Sequence, residues 1–142
     1  MAAVMAVGSI PAAGALLDGF NNTSTYSDQF TDVPSTAWYY NSVKSAYELG
    51  ITAGTSASKF SPDQNLTTDQ LTVFLARIHA AYHHNEIVEV QNPSSWADKY
   101  YYYVEQYIDS SYRDSIFGGR DHEQRWHFAY WISKALPDSA YT

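Results

Sequence analysis

The chain has 142 residues, of which 45% are hydrophobic, and this is enough apolar material for one compact core but hardly for two. It contains no cysteine, which excludes disulfides, thiolate metal sites and cysteine nucleophiles. Its formal charge of −7 repels phosphate backbones, so we expect no nucleic acid partner.

Residues 1–17 resemble the end of an export signal. They carry no charge, and an apolar run leads to small residues at positions 13–15, which form an A-x-A-like cleavage site. The run is too short to span a bilayer, so we expect no membrane span in the mature form. No basic segment precedes the run, and a disordered Ala-rich tail is the alternative interpretation. The polar residues 18–29 are predicted to be a linker, with ordered structure beginning near Phe30.

Two helices are predicted in residues 30–84. The first follows Pro34 and ends at Gly50, and its apolar positions at helical spacing are Tyr39, Val43, Ala46 and Tyr47. After a loop, Thr67 and Gln70 form a capping box that opens the second helix. That helix ends at residues 83–85, and its apolar face consists of Leu71, Phe74, Leu75, Ile78 and Tyr82.

Residues 93–137 repeat this plan in a weaker form. Helical spacing recurs at Tyr100, Val104, Tyr107 and Ile108, and a turn is predicted at Gly118 and Gly119. The last helix ends before Pro137, and its predicted buried face is Phe128, Trp131, Ile132 and Ala135. Recurrence of the plan after about 60 residues is a repeat signature. The predicted fold class is mainly α, with two helix-loop-helix repeats, neither of which buries its apolar stripe alone.

Several short strings occur in a characteristic order in the first half. They are Phe30-Thr31-Asp32-Val33-Pro34, Trp38-Tyr39, Gly50-Ile51 with Gly54, Phe60-Ser61-Pro62-Asp63 and Leu66-Thr67-Thr68-Asp69-Gln70. Their order and spacing resemble the S-layer homology repeat of bacteria. The string Gln124-Arg125-Trp126-His127-Phe128-Ala129-Tyr130 resembles the helix start of a weaker second copy. The resemblance implies a mainly helical module with repeats around a pseudo-three-fold axis, here an incomplete bundle of two.

The resemblance also implies a function. Its members are non-enzymatic modules that hold secreted bacterial proteins at the cell surface through secondary cell-wall polysaccharide, which is often pyruvylated and anionic. Arginine at a helix N-terminus suits such a ligand, because the planar guanidinium and the backbone N–H groups share the negative charge. The candidate glycan-binding residues are Arg125, Arg120, Trp38, Asp32 and Gly54.

The sequence departs from the family pattern at several positions. Thr68 and Gln70 stand where the family has arginine and glutamate, and His127 takes the glutamate position of the second copy. Trp96 lies farther ahead of its helix pattern than expected. Arg125 is therefore a stronger candidate than the residues of the first copy for binding an anionic ligand. The alternative interpretation is a solvated residue at the start of a helix.

Two candidates also have plain structural interpretations. The chain has 13 Tyr, 6 Phe and 4 Trp, and core packing explains such a content better than a sugar-stacking platform. For Trp38, packing between repeats is favoured over stacking on a pyranose ring. For Asp32, a turn or cap role is favoured over ligand contact.

Enzymatic and metal sites are weakly indicated. His79 and His83 have zinc-ligand spacing, but without a His-Glu-x-x-His pattern a solvated pair is favoured. The alternating polar residues 63–69 lack the glycine and final glutamate of a calcium loop. A glycosidase carboxylate pair stays open, although a small helical domain offers little cleft. We therefore predict no enzyme activity, metal or cofactor.

Three further expectations concern context. One alternative function is a protein-interaction or assembly module that kept the fold without glycan binding. Another is the non-catalytic end of a surface hydrolase. Because only two repeats are present, we also expect a homodimer or homotrimer to cover exposed apolar surface.

Overall fold

The computed structural model describes residues 19–116 and 124–138. The predicted leader at 1–17, the Gly118 and Gly119 turn and the candidate Arg120 lie outside these residues. Five helices occur in the described ranges: α1 Tyr40–Glu48, α2 Thr68–His83, α3 Asp98–Tyr107, α4 Tyr112–Ser115 and α5 Arg125–Lys134. An antiparallel bridge joins Ser56 and Lys59. The mainly α prediction is confirmed.

The start of α2 follows from local chemistry. The Gln70 amide donates to Thr67 Oγ1 at 3.2 Å, and the Thr67 amide donates to Gln70 Oε1 at 3.0 Å. This reciprocal capping box satisfies two donors that the first helical turn leaves unpaired, as predicted. The helix ends at His83, and the C-cap residue His84 adopts a left-handed conformation with φ 55°.

Two apolar clusters hold the chain together. The first joins Tyr26, Phe30 and Val33 to Val43 of α1. The second is built around α2 and α3, with Leu71, Leu75 and Val104 fully buried, and it also includes Tyr112 and Trp131. A buried contact of 2.9 Å between Thr72 Oγ1 and the Tyr112 hydroxyl satisfies two polar groups within this cluster. The second cluster therefore joins both predicted repeats into one core.

The packed structure begins earlier than predicted. The Thr23 and Ser24 amides donate to the Glu48 carbonyl at the end of α1, at 2.7 and 3.3 Å. The Phe20 ring packs edge-on against Tyr82 at 5.6 Å, and Tyr26 is buried in the first cluster. Contacts with the rest of the fold therefore begin within the segment 18–29 that its polar composition predicts to be a linker, through the rings of Phe20 and Tyr26.

The second repeat buries a different helix face from the first. Trp131 of α5 and the C-cap residue Ala135 are buried as predicted, but Phe128 is 38% exposed, whereas its counterpart Leu71 is fully buried. Trp131 packs edge-on against Tyr112 of the short helix α4, with ring centroids 4.6 Å apart. The sequence pattern did not predict α4. Its contact with Trp131 turns the Trp131 side of α5 toward the core in place of the Phe128 side. Tyr107 of α3 is likewise exposed.

The structure also corrects the register of Trp96. Trp38 stands two residues before the start of α1, and Trp96 stands two residues before the start of α3. The two tryptophans therefore occupy equivalent positions, although the hydrophobic pattern of the sequence suggested a mismatch. Among the described residues, no helix has both the length and the apolar character needed to cross a bilayer.

Candidate functional site

A groove of about 460 Å³ lies between residues 51–77 and Trp96, where the two predicted repeats meet. One wall is the loop from Ile51 to Thr55, a second is the loop from Phe60 to Leu66, and α2 contributes Gln70, Val73, Phe74 and Arg77. Trp96 from the second repeat completes the lining. We call this feature the inter-repeat groove, and its size falls within the range of ligand clefts, roughly 300–1,000 Å³.

Asp32 fixes one wall of this groove. Its carboxylate accepts hydrogen bonds from the Phe60 amide at 2.9 Å and the Ser61 amide at 2.8 Å. The bond from Phe60, with that from Ser61, holds the pKa of this carboxyl below its usual value. Asp32 does not itself line the groove. The structure thus supports the turn and cap role that the sequence favoured over ligand contact.

Gly54 lines the groove, and only glycine fits there because the surrounding atoms leave no space for a side chain. It adopts φ +79°, and an added Cβ would lie 2.5 Å from the Lys59 carbonyl oxygen and 2.5 Å from the Phe30 ring. A non-glycine residue would face both the left-handed strain and this contact. Gly54, a candidate named from the resemblance, therefore contributes backbone to the groove wall.

Arg77 supplies the positive charge of the groove, and the sequence analysis missed it. It is the one charged residue among the described lining residues. Its Nη2 donates to the Tyr100 hydroxyl at 3.1 Å, and its guanidinium lies 5.5 Å from the Tyr100 ring centroid. A weaker bond joins Nη1 to the Ile51 carbonyl at 3.5 Å. Arg77 follows Val73 by four positions and Phe74 by three, but this spacing alone does not distinguish it from a solvated helix residue.

The two tryptophans differ in their surroundings. Trp96 lies at the rim of the inter-repeat groove, where it is 64% exposed and contacts Tyr100 with ring centroids 6.4 Å apart. Trp38 is 92% exposed and makes an edge-on contact with Tyr39. The favoured expectation that Trp38 packs between repeats is wrong in the described structure, because its ring projects into solvent.

The structure does not bring the remaining candidates into this groove. Arg125 is exposed in the first turn of α5 and is absent from the lining of the inter-repeat groove. Thr68, at the arginine position of the first copy, is buried instead of lining the groove. Arg77, farther along α2, is the positively charged residue among the described lining residues.

The histidine pair is not the solvated pair expected from the sequence. His79 is partly buried, and its Nδ1 lies 3.0 Å from the Tyr103 hydroxyl. Its ring is 4.2 Å from that of His83. Burial, together with the charge of His83, lowers the pKa of His79 to about 4. In the described ranges no group of three or more His, Asp or Glu residues is arranged to hold a metal ion.

Comparison with known proteins gives a family for part of the chain. Residues 29–70 match the S-layer homology domain. A stretch of 57 residues is 39% identical to the protein named Endoglucanase of Bacillus sp. (strain KSM-635), covering 40% of this chain and 6% of that protein. A stretch of 74 residues is 31% identical to the Surface-layer 125 kDa protein of Lysinibacillus sphaericus, covering 50% of this chain and 6% of that protein.

A third relative shows the same partial similarity. It is the Amylopullulanase of Thermoanaerobacterium thermosulfurigenes, 34% identical over 55 residues, which cover 39% of this chain and 3% of that protein. No solved structure matches the chain. The chain thus spans 6% or less of the length of these three relatives.

The resemblance predicted from the sequence is confirmed for residues 29–70, which carry an S-layer homology domain. This range includes Asp32, Trp38 and Gly54 and ends in the first turn of α2. Proteins with this domain are associated with the bacterial cell surface, and the domain is typically an anchoring unit without catalytic function.

Proposed function

We propose that the chain is a non-catalytic anchoring module whose inter-repeat groove binds an anionic secondary cell-wall polysaccharide. The observation that carries this proposal is the charge of the groove. In a chain of net charge −7, the described lining residues include Arg77 and no carboxylate. A carboxylated sugar, such as a pyruvylated residue, would meet a positive charge on the lining of this groove.

The neighbouring groups suit a sugar that carries one acidic substituent. Arginine has five N–H donors, and two of them are used by the Tyr100 hydroxyl and the Ile51 carbonyl. The remaining donors can form a charge-assisted pair with a carboxylate. Trp96 offers an exposed aromatic face at the rim. Gln64 and Asn65 add amide groups that bond hydroxyls in either direction.

The position of the groove relative to α2 supports the same ligand class. Asn65, Leu66 and Gln70 flank the first turn of α2 and line the groove. The N-terminal end of a helix carries partial positive charge, which favours an anion nearby. Helix dipole and guanidinium therefore act in the same direction.

The test is a sedimentation assay on purified bacterial sacculi. The chain is expected to bind sacculi that retain their secondary polymer and to lose binding after this polymer is removed chemically. Binding that survives the removal would reject the secondary polymer as the ligand and would point to peptidoglycan or to a protein partner, of which only the second favours the assembly alternative.

The setting of the module is a second element of the proposal. Two of the partial relatives are named Endoglucanase and Amylopullulanase, and each is far longer than the matched stretch. This supports a role at the non-catalytic end of a secreted surface hydrolase. Expression of the chain alone should then give wall binding without hydrolysis of cellulose or starch.

A further inference from the structure

The two histidines near the end of α2 lie close enough to share one ion. His79 and His83 are four residues apart, which places them on the same side of the helix. Their ring centroids are 4.2 Å apart, and the ring planes are inclined by 36°. Two imidazoles that bind one ion at about 2.0–2.1 Å and at a right angle have centroids roughly 4.5 Å apart. A small adjustment of the side chains is therefore enough to bring both rings onto one metal ion.

The ring of His79 is held in place from the side of α3. Its Nδ1 lies 3.0 Å from the hydroxyl of the buried Tyr103, and the same hydroxyl accepts a hydrogen bond from Asn85 Nδ2 at 3.1 Å. A histidine that binds a metal ordinarily donates its other ring N–H to such a partner, which fixes its tautomer and orientation. Because Tyr103 engages Nδ1, Nε2 is the nitrogen of His79 that can bind an ion.

Aromatic rings surround the histidine pair and limit its movement. The rings of Tyr103 and Tyr107 lie 5.7 and 6.3 Å from that of His79, and the ring of Tyr82 lies 5.1 Å from that of His83. His79 is partly buried, whereas His83 is exposed, so an ion can reach the pair from solvent along the side of His83. Little side-chain ordering is therefore needed when an ion binds.

The available ligand atoms determine which ions the pair can bind. The chain has no cysteine, and in the described ranges no third histidine or carboxylate joins the pair. The protein therefore offers two imidazole nitrogens and leaves the other coordination positions to water. Imidazole suits Zn²⁺, Cu²⁺ and Ni²⁺, whereas Ca²⁺ and Mg²⁺ take oxygen ligands. The chemistry of the pair thus favours a transition-metal ion.

From these observations we propose that His79 and His83 form a two-histidine site for a divalent transition-metal ion of the zinc and copper class. Tyr103 is a positioning residue, which acts through its bond to His79. A bound ion joins the last two turns of α2 and, through Tyr103, braces this end of the helix against α3. The site is independent of the ligand proposed for the inter-repeat groove, since neither histidine lines that groove.

The probe is Zn²⁺, titrated calorimetrically into the full chain after treatment with a chelator, with and without excess Ca²⁺. Binding that Ca²⁺ does not weaken is expected. His83→Gln should weaken it by about tenfold or more, because loss of a ligand costs at least as much as the roughly 10–100-fold of an outer-shell partner. His84→Asn is the matched control, since it removes the adjacent exposed histidine and keeps a residue that tolerates the left-handed conformation.

A second pair of variants tests the positioning role. Tyr103→Phe keeps the ring and removes the hydroxyl, and it should weaken Zn²⁺ binding by roughly tenfold. Asn85→Ser removes the other bond to the same hydroxyl and should bind Zn²⁺ as the wild type does. The proposal is overturned if Zn²⁺ does not bind, if Ca²⁺ competes, or if His84→Asn weakens binding as much as His83→Gln. Equal affinities of the folded Tyr103→Phe and Asn85→Ser variants would reject the role of Tyr103.

Discussion

Arg77 of α2 donates to the Tyr100 hydroxyl of α3 at 3.1 Å, and this bond crosses from the first repeat to the second beside the inter-repeat groove. Arg77 also lies against the Tyr100 ring, so its guanidinium is held by both a hydrogen bond and a cation–π contact. The cation of the groove is therefore oriented by the second repeat while it is carried by the first. The packing of α3 on α2 therefore also determines how the guanidinium of Arg77 is oriented.

Gly54→Ala should disrupt the loop that forms one groove wall. The left-handed conformation and the 2.5 Å approach to the Lys59 carbonyl together predict a loss of roughly 1–3 kcal/mol in the free energy of unfolding. Urea unfolding measures this loss. Gly50→Ala is the control, since Gly50 also has positive φ but does not line the groove. If Gly54→Ala weakened glycan binding no more than Gly50→Ala, Gly54 would have no role in shaping the groove.

Stability should depend on pH through His79. Because burial keeps the folded pKa at about 4, below the ordinary 6.5, the unfolded chain takes up a proton more readily. Stability is therefore complete above pH 6.5 and is lost progressively as the pH falls toward 4. The ring is partly solvent-accessible, so we expect a loss of about 1–2 kcal/mol, less than the full linkage value.

Thermal unfolding across pH 4–7 checks this expectation. His79→Gln should flatten the profile, whereas His84→Asn, which retains a residue tolerant of the left-handed cap, should leave the slope unchanged. An identical slope in the wild type and in His79→Gln would assign the pH dependence to other groups.

Arg125, at the start of α5, remains a predicted second contact for the anionic polysaccharide. Arg125→Ala should weaken binding to sacculi by roughly ten- to a hundredfold, as expected for loss of a charge-assisted hydrogen bond of about 1.5–3 kcal/mol. Thr68→Ala should leave binding nearly unchanged and reduce only the stability of α2, because Thr68 is buried. Equal losses in the two variants, or no loss in Arg125→Ala, would reject the assignment.

Self-association is a further prediction. Trp38 and Trp126 are each largely exposed, and uncovered aromatic residues favour contact with a second copy. Light scattering coupled to size exclusion should detect a dimer or trimer whose fraction rises with concentration. A monomer at high micromolar concentration would show that two repeats suffice without a partner copy.

The sequence predicted those features that depend on neighbouring residues. The capping box of Thr67 and Gln70 and the periodicity of α2 are local, and both are confirmed. The buried face of α5 depends on Tyr112, which reaches Trp131 through tertiary packing and was not part of the pattern. Burial of Tyr26 likewise depends on distant rings, among them Tyr47, so composition alone suggested a linker.

In the candidate site, too, a residue in a local motif was predicted, whereas a residue that depends on tertiary packing was not. Gly54 was named because it belongs to the strings that resemble the S-layer homology repeat, and the structure places it in the groove wall with a positive φ. Arg77 was missed because an arginine within a helix resembles any solvated residue until the partner that orients it is known. Tyr100 lies 23 positions away, and only the packing of α3 on α2 places the two side chains together.

The most direct test of the account is the affinity of Arg77 variants for sacculi that carry the anionic polymer. Arg77→Gln should weaken binding by about tenfold or more, and Arg77→Lys should restore part of it by keeping the charge without the planar donors. Lys44→Gln removes one positive charge on α1, outside the groove, and should bind as the wild type does. A folded Arg77→Gln variant that binds as tightly as Lys44→Gln would contradict the account.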